Sequence, residues 1–197
     1  MAEGLRERSR ARRRSEIESA ALRLFAARGY DGTTVAQVAE AAEVSPRTVS
    51  LYFPSKLDLA LSYIADSARR LSAACATRGP GRSTLDVLTQ WLRDENTDYA
   101  DTVALLRSML EANPALRGAE TPEIADSRRQ VALELAADLG RSPDDPVVLL
   151  INGALAGIIA ALIQVDPQNS GGTVLLDTTL LDTAGRMMDA VIATGRG

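Results

Sequence analysis

The chain has 197 residues, 46% of them hydrophobic, with one cysteine, no histidine, 22 Lys+Arg and 26 Asp+Glu for a net charge of −4. This is a folded composition, long enough to bury a core. It excludes an internal disulfide framework, a zinc site of ordinary composition and histidine-based acid–base catalysis. Charge is uneven: residues 1–60 carry a net +2 and residues 61–197 a net −6, with six arginines between Arg6 and Arg14. A basic end on an acidic body is the charge footprint of a nucleic-acid-binding head. Alanine, leucine and arginine are all strong helix formers, so an all-α fold is the first expectation. The N-terminal run "MAEGLRERSRARRR" has no apolar core region and does not read as a secretory signal, so a cytoplasmic chain is expected.

Helix one is expected from about Arg10 to Arg28. Ile17, Ala20, Ala21, Leu24 and Phe25 repeat at the spacing of one buried face, and Gly29 follows as a left-handed cap. Thr34 and Gln37 make a Thr-x-x-Gln capping box for a short helix two with Val35, Val38, Ala39 and Ala42 on its apolar side. After a short turn, Ser45 caps helix three and Pro46 takes its first position. Val49, Tyr52 and Phe53 should turn inward there, leaving Arg47, Thr48 and Ser50 on the free side.

A long helix four follows Pro54, with Leu57, Leu61, Ile64, Ala68, Leu71 and Cys75 in one stripe. "RGPGR", residues 78–82, breaks the chain, and Ser83 caps the next helix. Asp101 opens another that ends at Asn113-Pro114. Thr121-Pro122 starts one that ends at Gly140, and Asp145-Pro146 starts the next. Val147–Val165 carries no charge, but its acidic flanks lack the Lys or Arg anchors of a membrane helix. It is expected to be enclosed by protein on nearly all sides, with no membrane partner. A last helix is expected from about Thr173 to Thr194.

Two short helices joined by a tight turn and braced by a longer one form a helix-turn-helix pattern, whose second helix enters a major groove. Arg47 can pair with guanine edges or phosphate, and Thr48 and Ser50 are short enough to let the helix approach. The basic arm with Arg12, Arg13 and Arg14 leads into helix one and would follow the duplex; a solvated tail is the plainer alternative.

From about Arg14 to Leu61 the chain resembles the tetracycline-repressor-like family of bacterial regulators. The matching residues are Phe25, Gly29-Tyr30, Thr33-Thr34-Val35, Val38-Ala39, Val44-Ser45, Thr48 and Tyr52-Phe53-Pro54-Ser55-Lys56. The resemblance implies a DNA surface that includes Thr33, Thr34, Ser45, Pro46, Arg47, Thr48, Ser50, Tyr52 and Lys56. Lys56, the chain's only lysine, stands where the family carries a phosphate-contacting lysine. Two positions depart from the family's habit: Glu43 where glycine is usual, at a cost of ~1 kcal/mol if it takes positive φ, and Ser50 where an aromatic residue is frequent.

The resemblance divides the chain into an arm and DNA-binding head, residues 1–60, and a helical ligand-binding and dimerisation body, residues 61–197. It implies a regulator, most simply a repressor, that binds a palindromic operator in double-stranded DNA as a homodimer and is released by a small hydrophobic molecule. No cofactor, metal or enzymatic activity is expected. A helix-turn-helix scaffold without ligand control is the alternative. Tyr63, Trp91, Tyr99, Leu106, Met109 and Leu110 are candidates for a mostly apolar pocket, with plain core packing as the competing role for each. Leu150, Gly153, Ala154, Gly157 and Ile158, with Leu180, Ala184 and Met188 of the last helix, are candidates for the dimer interface, against burial within one protomer. In the expected mechanism, helix four reports the ligand to the head through Leu57 and Leu61.

Overall fold

The computed structural model describes residues 2–164 and 178–195, which form ten α-helices and one 3-10 turn, with no strand among the described residues. The expected start of the last helix, near Thr173, lies outside them. The chain divides into two compact units. One comprises residues 1–65 and 104–121, and the other residues 66–103 and 122–197.

The first unit opens with α1, Ala2–Arg28, eight residues longer at its N-terminus than the periodicity suggests. From Leu5 on the added turns are exposed and carry arginine and glutamate, both good helix formers, and Arg12 pairs with Glu16 one turn on. The basic arm is therefore helical. Ile17, Ala21, Leu22 and Phe25 are fully buried, while Leu24 is only half-buried. Gly29 ends the helix at φ 79° and returns its N–H to the Phe25 carbonyl at 3.1 Å.

Thr34 caps α2, Val35–Ala41, as a reciprocal box: its hydroxyl accepts from Gln37 N and its own N–H donates to Gln37 Oε1. The turn that follows places Glu43 at φ 54°, and Val44 N–H donates to Ala39 O at 2.9 Å. Ser45 then caps α3, Pro46–Tyr52, accepting from Thr48 N at 3.1 Å. Val49 and Phe53 are buried as expected, and Tyr52 is half-buried.

Helix four is in fact two helices, α4 at Lys56–Ala60 and α5 at Ser62–Ala76. Leu61 caps α4 at φ −99° and ψ 6°. The reason lies in Ser62, a buried hydroxyl that donates to Leu59 O and to Glu18 Oε1 of α1. Such local side-chain bonds compete with the helical ladder. The unit is completed by most of α7, Ala100–Ala112, and the 3-10 turn Pro114–Leu116, with Leu106, Met109 and Leu116 buried.

The second unit holds α6, Thr84–Asp98, capped by Ser83 and Asp86, then α8, Pro122–Leu139, ended by Gly140 at φ 64°. It closes with α9, Pro146–Gln164, and α10, Thr178–Gly195. Its core contains Leu71, Cys75, Leu88, Leu92, Leu135, Ile151, Leu155, Met188 and Ile192. Cys75 is completely buried, which pushes its thiol up to about 11. Arg78 staples the Gly-Pro loop to α8, bonding the carboxylates of Glu134 and Asp138 and the Cys75 carbonyl.

Helix α9 corrects one expectation. It is long and apolar enough to cross a membrane by length and composition alone, yet protein does not enclose it within the protomer. Val148, Ile151, Leu155 and Leu162 face the core. Leu149, Leu150, Gly153, Ala154, Ala156, Gly157, Ala160 and Ala161 form an exposed, uncharged stripe. A single layer of helices covers only one side of a cylinder, so an all-round apolar helix in one chain keeps a bare face.

Candidate nucleic-acid interface

The free face of α3 follows from its burial. Val49 is fixed in the core, and at about 100° per residue Arg47 and Leu51 point the opposite way. Ser45, Pro46, Arg47 and Ser50 are exposed, and Thr48 is half-buried. Several hydroxyls already have local partners: Ser45 Oγ lies 2.8 Å from Thr48 Oγ1, and Ser50 Oγ donates to Pro46 O at 3.2 Å. Thr34 is exposed at the start of α2, where its side chain completes the capping box.

Lys56 projects from the first turn of α4 over the ring of Tyr30, 4.2 Å from its centroid, so a cation–π contact holds its ammonium in place. Arg12 and Arg13 are exposed on the arm side of α1.

Two expectations change. Thr33 is 1% exposed, and its hydroxyl donates to Gly29 O at 2.9 Å and Leu24 O at 3.3 Å. It caps the Gly29 carbonyl past the end of α1 and is turned inward, away from the exposed face of α3. Arg14 is half-buried; it donates to Tyr52 O at 3.2 Å and stacks over Phe53 at 4.6 Å. A cation bonded to the last carbonyls of α3 braces that helix from behind, which places Arg14 in the support of the recognition helix. Arg10 lies over the neighbouring Tyr52 ring at 5.8 Å.

Another support was not foreseen at all. Asn113, beyond the end of α7, donates to Phe25 O at 3.0 Å and to Met109 O at 2.8 Å, and accepts from Tyr30 N. Only the Asn-Pro pair hinted at anything there, and it reads as a helix stop.

A short helix with one buried side, a positive-φ turn before it and a free outer face is the geometry of a helix-turn-helix. The chain matches the model of bacterial regulatory proteins of the tetR family over residues 17–63. It is 34% identical to the HTH-type transcriptional regulator TcmR of Streptomyces glaucescens over 152 residues, 72% of this chain and 67% of that one. The chain belongs to the tetR family. It is a transcriptional regulator with an N-terminal helix-turn-helix, of a family whose members respond to ligands. Residues 106–192 of this tetR-family chain match the MftR C-terminal domain. The chain is also 28% identical to the repressor AcnR of Corynebacterium diphtheriae, across 77% of this chain and 80% of that one. The fold is similar to that of the fatty acid degradation regulator FadR from Bacillus halodurans, with a TM-score of 0.60, 17% identity, and 88% and 96% of the two chains covered.

The remaining candidates fall in both units. Tyr63, Leu106, Met109 and Leu110 are buried in the first unit, and Trp91 and Tyr99 are half-buried in the second. Trp91 Nε1 is buried without a hydrogen-bond partner among the described residues. Arg70 lies 4.1 Å above the Tyr99 ring and bonds Glu95 at 2.6 Å. Of the interface candidates, Leu150, Gly153, Ala154 and Gly157 are exposed and Ile158 is half-buried. Ala184 and Met188 are 3% and 0% exposed, which corrects their assignment: they belong to the protomer's own core, and α10 turns Met187 outward at 52%. The side chain of Leu180 lies outside the described ones. Among the described residues, no group of three or more His, Cys, Asp or Glu is placed to hold a metal ion.

Proposed function

We propose that this regulator is a repressor that binds a palindromic operator as a homodimer and is released when a small hydrophobic molecule enters its body. Residues 1–60 would read DNA and residues 61–197 would bind the effector and dimerise, in the cytoplasm and without catalysis. The observation that carries the dimer is the bare stripe of α9. A Cβ built on Gly153 or Gly157 meets nothing within 4 Å in the protomer, so the protomer's own packing does not call for glycine there. Two glycines four apart on an apolar helix permit close approach of a second helix. Leu150, 74% exposed, and Met187 would be covered by the same contact.

Ser45, Pro46, Arg47, Thr48 and Ser50 would approach the bases. Lys56, Tyr52 and Thr34 would contact phosphates, and Arg12 and Arg13 would follow the backbone. An effector bound in the body acts only by favouring the body shape it binds better. A coupling of ~1–3 kcal/mol would lower operator affinity about 5- to 150-fold.

The test is light scattering with DNase footprinting. A dimer protecting an imperfect palindrome, its half-sites about 34 Å or more apart, is the expected result. A monomer on a single asymmetric half-site would overturn the reading.

A further inference from the structure

Leu51 is the one large apolar side chain on the outer face of α3, and it is 70% exposed. The valines and aromatic residues of the helix-turn-helix are all at least half-buried: Val38, Val49 and Phe53 fully, Val35, Val44 and Tyr52 in part. The core therefore has no use for Leu51. Single exposed leucines are common on protein surfaces, and by itself this one would need no explanation. Its neighbours supply the reason. Arg47 lies one turn earlier and within about 40° of it around the helix axis, directly opposite Val49. The hydroxyls of Ser45, Thr48 and Ser50 flank this ridge and are engaged with one another or with the backbone. The outermost ridge of the recognition helix thus consists of one guanidinium and one isobutyl group.

In the major groove, a guanidinium matches the O6 and N7 acceptors of guanine, and an apolar side chain matches the C5 methyl of thymine. We infer that Leu51 is a specificity-determining residue that packs against a thymine methyl beside the guanine read by Arg47. Four residues of helix rise about 6 Å, and base pairs stack about 3.4 Å apart, so the thymine lies within about two base pairs of that guanine. This inference rests on α3 being the helix that enters the major groove. An apolar contact also explains how a helix lacking the family's frequent aromatic residue at position 50 discriminates bases: the apolar contact has moved one residue along.

The test uses the full chain and a duplex selected by it from a random pool. Each thymine of a half-site is replaced singly by deoxyuridine, which removes only the methyl group. One replacement should weaken wild-type binding about fourfold, the worth of one buried methyl. Leu51→Ala should bind the thymine and uracil duplexes alike. Because Leu51 is exposed, that variant should keep its fold, shown by an unchanged urea midpoint. The proposal is overturned if no thymine of the half-site is sensitive, or if Leu51→Ala keeps the same preference for thymine. A Leu51→Ala variant weakened by the same factor on the thymine and uracil duplexes, and so keeping the wild-type ratio between them, would place the side chain against sugar or phosphate and also overturn it. Failure of the wild-type chain to select any duplex would instead sink the DNA-reading role of α3.

Discussion

Asn113 Oδ1 accepts the backbone N–H of Tyr30 at 2.5 Å, across 83 residues of sequence. The same side chain donates to the Phe25 carbonyl. A residue outside the helix-turn-helix sequence thus completes the C-cap of α1, where Gly29 has turned the chain toward α2. Replacing it by alanine leaves the part-buried Tyr30 N–H unpaired, while the Phe25 carbonyl keeps the Gly29 N–H, a loss of about 1–3 kcal/mol. Asn113→Ala should therefore lower the urea midpoint and speed hydrogen exchange at the Tyr30 amide. Unchanged exchange there would show that the clamp is dispensable.

Glu43 tests the strained turn. A side chain at φ 54° is disfavoured relative to glycine, which adopts that region freely. Glu43→Gly should stabilise the protein by about 1 kcal/mol, and Glu43→Val should destabilise it. Equilibrium urea unfolding of both variants measures this, and a lower midpoint for Glu43→Gly would contradict it.

Positioning and reading separate on the head. Lys56→Ala should weaken binding to all duplexes alike, and Arg47→Ala should cost about 1–3 kcal/mol and relax preference at one base pair. Binding by each variant to a panel of single-base operator changes decides it. A changed consensus with Lys56→Ala, and an unchanged one with Arg47→Ala, would reverse the two roles.

Deleting residues 1–12 removes four arginines from the exposed start of α1. Affinity for duplex should drop, and the slope of log K against log salt should become shallower, because fewer counterions are released. Equal slopes for the two proteins would exclude the arm from the DNA path.

Acid should loosen the second unit. Burial pushes the Asp138 carboxyl up, but bonds from Thr84 and the Arg78 guanidinium outweigh it and hold it below its ordinary 3.8. A depressed folded pKa contributes stability that is present above the unfolded value and lost as pH falls through the folded one. Stability should thus fall below about pH 4, and Asp138→Asn should flatten that fall. Arg78→Ala, which strips the cation from Glu134 and Asp138, should cost about 2–3 kcal/mol at neutral pH. A pH profile identical to wild type for Asp138→Asn would rule the linkage out.

What the sequence determined by itself is local. The Thr34–Gln37 box, the Ser45-Pro46 start, the left-handed Gly29 and Gly140 and the strained Glu43 all have backbone or capping bonds spanning five residues or fewer. The order of helices, and the head that marks the family, were legible for that reason. Tertiary structure decided which partner each side chain takes. Thr33 and Arg14 looked like DNA contacts, but the carbonyls at the ends of α1 and α3 claimed them. The stripe through helix four ran unbroken in sequence until the Ser62 hydroxyl met Leu59 and Glu18. Met187 and Met188 are chemically identical, and only the packing of α10 on α9 and α6 sends one outward and the other into the core. Periodicity tells how wide an apolar face is. It does not tell which neighbour covers it, because that depends on contacts between residues far apart in the chain.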